Sequence, residues 1–462
     1  ARVTGAAACA GLPDKSLRAT EFRDLALYHP WELPVEQAIE IARRCEDAAF
    51  ATSPDIRNSE GGSVSAQQSQ FISANSLGFM AGYSSSRQYI TCSVIAGEGD
   101  AMQREDWYAS QRSAADLPSP EAIGRYAAER ALDKDKIEAG LKHCAAHGIT
   151  SMVNMDGNRF TLALLREMQA EGRLLARVKV PFHFKPHMDL AELDRAEAMR
   201  AEFNDDWLQS GFVKMFMDGV VDSRTAHMLN DYPDQPGHRS EPLFEPERFK
   251  AIATEIDRRG LQIAVHAIGD GAVRTTIDGY EAAQQANGRR DSRHRIEHIE
   301  LIDRADIPRL GALGITASLQ PPHPPGAMDF PLEPTLTRIG KHRWPDAYLW
   351  RTLAEAGAPV AYASDWPVTD VSVLRGLQAA LTRQPYEGGQ DERLSLMDSL
   401  YAYTAGGAWA AHMDHITGRL IPGMAADIVM IDGDIEATPP DQIAGLGIAL
   451  TVAGGRITWQ AE

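Results

Sequence analysis

Cysteine is scarce in this chain of 462 residues: Cys9, Cys45, Cys92 and Cys144, all in the first third, with no Cys-x-x-Cys pair. That pattern excludes a disulfide framework and a thiolate zinc site, and it predicts reduced thiols in a cytoplasmic protein. Long apolar runs are missing as well. None approaches the ~20 residues a membrane-spanning helix needs, and residues 1–20 lack the apolar stretch of a signal peptide. Positive charge is in deficit, with 46 Lys and Arg against 64 Asp and Glu and a net charge of −18. A field of that sign repels nucleic acid and anionic membranes, so the expected partner is a small-molecule substrate, with a homo-oligomer left open. The chain opens at ARVTGAAACAGLPDKS without methionine, and an upstream piece is expected. Neither a tandem repeat nor a low-complexity tract is present.

What is there describes an ordinary globular protein, 44% hydrophobic and 24% charged. Its length suits two or three domains at roughly 100–200 residues each. From about residue 135, short β-branched runs alternate with amphipathic stretches, the signature of βα units around a parallel sheet. The expected strands are 148–154, 175–182, 211–217, 261–266, 293–298, 314–320 and 358–364. Helices are expected at 159–172, 247–260, 271–287 and 347–357, two of them closing on Gly172 and Gly260, where a left-handed cap suits glycine. That makes seven βα-type strands, where a closed barrel has eight. A helix at 394–412 and short strands at 425–434 and 447–460 follow. Residues 1–133 differ. A helix over 34–51, opened by Pro34 and striped by Val35, Ala38, Ile39 and Ala42, precedes a Ser-, Gln- and Gly-rich meander over 61–102 with turns at Gly78 and Gly82.

In parallel α/β folds, side chains at the C-terminal strand ends converge on one face. Those ends carry Lys214 in VKMFMDG, His266 in AVHAIGD, His298 in RIEHIE and Asp365 in YASDWPV, with Gln320 and His323 in ASLQPPH. Neutral imidazoles, a lysine and a carboxylate around one mouth suit a borderline divalent ion such as zinc. Such an ion lowers the pKa of bound water to about 7, and Asp365 is placed to take the proton. Lys214 ligates only as a neutral amine or as a carbamate after carboxylation. Taken singly, each residue also reads plainly: a core histidine, a salt-bridged lysine, a turn-initiating aspartate. Their recurrence in order on successive strands favours a site. His294 reads as structural, and His183 and His187, around a proline, read as surface residues. Arg224 and Trp366 are expected substrate contacts beside Gln320 and His323.

GFVKMFMDGVVDSRTA, LQIAVHAIGDGAV, HRIEHIELI, ITASLQPPH, YASDWPV and GRLIPGMAADIVMIDGD together closely resemble the amidohydrolase superfamily, in its YtcJ-like branch similar to N-substituted formamide deformylase. The resemblance covers about residues 135–460. It implies α/β architecture, a TIM-type (β/α) barrel beside a β-sandwich, and hydrolysis of small-molecule amide or other C–N bonds with one or two metal ions, zinc expected. It assigns metal binding to His266, His298 and Lys214, with Lys214 carboxylated where two ions are bridged, and catalysis to Asp365. The family's His-x-His pair on the first barrel strand has no counterpart here, so the barrel is expected to lack that strand. Residues 1–132, including IRNSEGGSVSAQQSQFISANSLGFMAGYSSSRQYITCSVIAGEGDAMQREDWY, resemble an internal part of the TldD/PmbA modulator-of-gyrase family. The zinc-protease motif of that family is absent, since the chain has no His-Glu dipeptide. The expected layout is a TldD/PmbA-like α+β segment over 1–133, a barrel over 134–415 and a small C-terminal β-sandwich element over 416–462. The functional expectation is a metal-dependent amidohydrolase-like enzyme. The alternatives are a catalytically impaired barrel fused to an interaction domain and a TldD/PmbA-type peptidase.

Overall fold

The computed structural model describes residues 21–97, 102–131 and 134–461. Cys9 and the expected boundary at residue 133 lie outside them. The chain divides into two compact units between Lys136 and Ile137.

The first unit pairs a helix at Val35–Phe50 with a three-stranded antiparallel sheet, β1 (Ile56–Ala74), β2 (Met80–Ala96) and β3 (Gln103–Gln111), and a helix at Pro120–Ala131. Gly78, at φ +83°, makes the β1–β2 turn. Gly82 does not turn. It sits inside β2 opposite Ile72, where a Cβ would lie 2.3 Å from the Phe71 carbonyl oxygen. The helix stripe is also rotated from the expected one. Val35 and Ile39 are exposed, while Cys45 and Ala49 are buried with Ile41 against them. Small residues win that face because the sheet backbone comes close: a Cβ on Gly62 would meet the Ala42 carbonyl oxygen at 2.4 Å. The core here is small and rich in alanine, built from Cys45, Ala49, Ile90, Cys92, Val94, Ile123 and Ala127.

In the second unit every expected barrel strand is present, all but one of them shortened. They are β4 (Ser151–Val153), β5 (Arg177–Lys179) continued by β6 (Phe182–His183), β7 (Leu208–Gln209) continued by β8 (Phe212–Phe216), β9 (Gln262–Ala267), β10 (Arg295–His298), β11 (Thr316–Leu319) and β12 (Val360–Tyr362). Pro181 has no N–H to give the ladder, and Gly211 bends at φ +101°, so the second and third positions each split in two. β5 pairs with β4 and β7, while β6 pairs with β8. All these pairings are parallel, and the order runs β6, β8, β9, β10, β11, β12. Among the described residues β4 and β12 do not pair with each other. Gly172 and Gly260 follow their helices at φ +75° and +72°, as the caps require.

The expected 394–412 helix is two, Leu396–Tyr403 and Ala405–Ala410, broken at Thr404. The C-terminal β element is one three-stranded antiparallel sheet, β13 (Ile428–Ile431), β14 (Ile448–Ala453) and β15 (Arg456–Gln460). A buried ion pair fastens it to the barrel: the Arg177 guanidinium donates to both Asp427 oxygens at 2.9 and 3.2 Å, with both side chains 3% exposed. Within the barrel, Val178, Phe182, Val213, Met215, Ile263, Val265, Ile296 and Leu319 form the core that fixes the strand ends. No helix among the described residues is long and apolar enough to cross a membrane.

Candidate metal centre

Parallel register brings the polar strand ends together. His266 pairs across to Phe216 on one side and Glu297 on the other, and His298 follows Glu297 on β10. The His266 and His298 rings meet edge to face with centroids 4.5 Å apart, and His298 stacks on His323 at 5.6 Å and 9°. His323 lies in the turn beyond β11 and Asp365 three residues beyond β12, which carries them over the barrel mouth. Ligand atoms of His298, His323 and Asp365 all lie within 4.8 Å of one another. His298 and Asp365 hold left-handed backbone, φ +80° and +58°, a conformation costing a non-glycine residue about 1–3 kcal/mol that tends to gather at functional sites.

The imidazoles are neutral. Burial, then the Lys214 charge, pushes His266 down to about 4. Burial, then the neighbouring histidines His266 and His323, holds His298 well below its usual value. Burial, then His266, takes His323 to about 4. Burial and then Glu297 lift the half-buried Asp365 carboxyl to about 6. Burial lowers the Lys214 ammonium to about 8, with Glu297 and Asp365 opposing. Lys214 lies 4.3 Å from the centre of the Phe216 ring.

Hydrogen bonds decide which nitrogens are free. The Gln320 amide N–H donates to the Ser318 carbonyl at 3.3 Å, so its oxygen faces His298 and accepts from Nδ1 at 2.9 Å. That fixes the tautomer and leaves His298 Nε2 with a lone pair. His266 Nε2 instead lies 2.9 Å from the Gly219 carbonyl, to which only an N–H can bond. His323 Nε2 is buried with no hydrogen-bond partner, 3.7 Å from Asp365 Oδ2.

The remaining expected residues have partners of their own. Arg224 is engaged by Asp234, which also pairs with Arg338, so its guanidinium is committed to a loop ion pair. Trp366 is 47% exposed and packs on His143 with ring centroids 5.7 Å apart. His294 is buried, its Nδ1 accepting from the Ile263 N–H and its Nε2 3.1 Å from Asp257, a structural role. His187 is exposed, but His183 is no surface residue: it lies on β6 opposite Lys214, with Nε2 buried and unpartnered. The sequence reading passed over two buried acids. Asp218 accepts N–H bonds from His227, Ile268 and Gly269 and stands 3.6 Å from His266 Nε2, while burial raises it to about 7. Glu300 accepts from the Tyr348 hydroxyl at 3.0 Å, its Oε1 is 3.9 Å from His323 Nδ1, and burial raises it to about 8. Glu300 follows His298 by two residues, the one hint the sequence offered.

The model of the Amidohydrolase family matches residues 98–459, and that of the PmbA/TldA metallopeptidase central domain matches residues 28–134. Among relatives, the chain is 37% identical to Protein LONG AFTER FAR-RED 3 of Arabidopsis thaliana over 49% of this chain and 39% of that protein. It is 28% identical to the Putative amidohydrolase YtcJ of Bacillus subtilis (strain 168), covering 71% of this chain and 61% of the relative. A crystal structure of an uncharacterized metal-dependent hydrolase from Pyrococcus furiosus superposes with TM-score 0.55 at 25% identity, covering 69% of this chain and 63% of that one. The chain thus spans less than two thirds of the length of each.

Proposed function

Because the chain belongs to the amidohydrolase family, we propose that it is a metal-dependent hydrolase of a small-molecule amide or other C–N bond, working at the mouth of the barrel. The observation that carries this reading is the buried, unpartnered Nε2 of His323 facing Asp365 beside the free Nε2 face of His298. Neutral imidazoles and a carboxylate suit a borderline cation, zinc first, so the residues present fit the group. When bound, such an ion supplies Lewis-acid polarisation and brings a water's pKa to about 7.

The chain's own residues do the rest. Asp365, with its proton affinity raised to about 6, is a carboxylate at neutral pH and accepts the water's proton at one oxygen before returning it to the leaving nitrogen. Lys214 acts as a buried counter-charge to Asp365 and Glu297 and holds the mouth's acidic groups in place. His266, bound to the Gly219 carbonyl, braces the loop after β8. We read the gap between β4 and β12 as the place of the barrel's first strand, and the C-terminal sheet as part of a sandwich. The buried thiols of Cys45, Cys92 and Cys144 support a reducing, cytoplasmic setting.

The test is hydrolysis of N-formyl and N-acyl amines by zinc-loaded protein. Turnover is expected, abolished by a chelator, with Asp365→Asn lowering kcat by roughly 10²–10⁴-fold. Turnover that is equal in Asp365→Asn contradicts the assignment.

A further inference from the structure

The two edges of the sheet in the first unit are unequally defended. β3 carries Arg104, Glu105 and Asp106 along its paired length, and charges of that kind keep an edge from recruiting another chain. β1 opens with Arg57, Glu60 and two breaks of register between Ile56 and Gly61, which serve the same end. Beyond them the protection stops. The 25 residues from Gly62 to Ser86 hold no charged residue and no proline, and they span most of β1, the turn at Gly78 and the start of β2. Near that turn Phe71, Ile72, Met80 and Tyr83 are each more than half exposed.

The backbone of this stretch is unpaired on its outer side. The Ser86 N–H donates to the Leu27 carbonyl at 3.0 Å, so it points away from β1. Gln68 lies directly opposite Ser86, and in an antiparallel pair opposite residues turn their groups either toward each other or both outward. Gln68 therefore turns its N–H and C=O outward. So does every second residue from Gly62 to Ala74, because the register is unbroken there. The Asn75 N–H, bonded to the Phe79 carbonyl at 2.9 Å, gives the same alternation from the other end. Among the described residues these outward groups find no partner.

We propose that this edge pairs antiparallel with the same edge of a second copy, joining two three-stranded sheets into one of six. Two chains of net charge −18 repel each other over most of their surfaces, and this ribbon is a long stretch to which neither brings charge. Pairing of identical edges about a two-fold axis is self-complementary, and it uses up both edges, so assembly stops at two. The ribbon also supplies as many residues as one side of a stable interface, about 20–30.

Sedimentation velocity on the full chain at about 1–100 µM reads the pairing. A species of twice the chain mass is expected. Gln70→Pro removes one outward N–H from each copy and leaves the β1–β2 ladder intact, so it should weaken the dimer roughly tenfold or more. Ser69→Lys puts a charge on the bare stretch and should act in the same direction, and it carries the test if the proline variant does not fold. Gln111→Lys, on the β3 edge, should leave the mass unchanged. A wild-type chain that stays monomeric, a dimer that survives both β1 substitutions, or loss of the dimer in Gln111→Lys overturns the proposal. So does growth past two copies, which is open-ended stacking. A monomer that takes up an unrelated extended peptide overturns it too, because the edge then belongs to a foreign strand.

Discussion

The two units spend their residues differently. In the first, the long β1–β2 ribbon and two helices bury mainly alanine, cysteine and a few β-branched side chains, and fit depends on glycines where backbones nearly touch. In the second, a large core of valine, isoleucine, leucine, methionine and phenylalanine holds short strands in register, and the histidines and Asp365 gather at and beyond the C-terminal ends of those strands. A rigid apolar interior lets the barrel keep neutral histidines, a carboxylate of raised proton affinity and strained backbone at one rim, which a thin core lacks the rigidity to hold. The lesson is that the site depends on the packing of the barrel's own core.

That contrast can be broken or sharpened by substitution. The largest effect is expected for Asp427→Ala, which leaves the Arg177 guanidinium buried and unpaired beneath the C-terminal sheet. A loss of about 3–5 kcal/mol is predicted, read by urea unfolding and localised by hydrogen exchange in peptides from β5 and β13. A loss below about 1 kcal/mol, the range of surface ion pairs, would show that the pair does not fasten the sheet.

Next comes Gly124→Ala in the first unit, where the new Cβ would lie 1.8 Å from the Cys45 carbonyl oxygen. Forcing the two helices apart should cost about 1–3 kcal/mol and speed exchange in residues 35–50 and 120–131. Unchanged stability and exchange in this variant would contradict the close approach of the two helices.

A smaller, pH-dependent effect is expected at Lys179 on β5. Burial depresses this ammonium to about 7, while its Nζ donates to the Ala411 carbonyl at 2.7 Å. Between pH 7 and 10 the unfolded chain holds this proton and the folded chain does not, so stability rises with pH by up to about 1.4 kcal/mol per unit from this group. Lys179→Met removes that slope. Unfolding at pH 7, 8 and 9 checks it, and identical slopes in the two proteins would contradict the assignment.

Much of the barrel was legible in the sequence. Runs such as Leu261–Val265 are long enough in apolar, β-branched residues to fix a strand, and glycines such as Gly172 and Gly260 mark where helices stop. The placement of His266 and His298 at the C-terminal ends of β9 and β10 was legible because the order of βα units fixes strand direction. Roles within the site were not. His323 comes four residues after β11, and only the turn geometry puts its Nε2 opposite Asp365. Nothing in the sequence shows that the Gly219 carbonyl accepts a bond from His266 Nε2, which fixes that ring's orientation. His183 reads as a surface residue because Pro186 separates it from His187, yet it continues the strand and pairs with Lys214. In the first unit Val35 and Ile39 were misplaced because close backbone approach, which no hydrophobic pattern encodes, selected the smaller residues.

Elemental analysis of the purified, folded chain after zinc exposure and removal of excess ion tests the central claim most directly. One firmly held divalent ion per chain is the predicted result. Metal at background in protein that still melts cooperatively would contradict a hydrolytic centre at this rim.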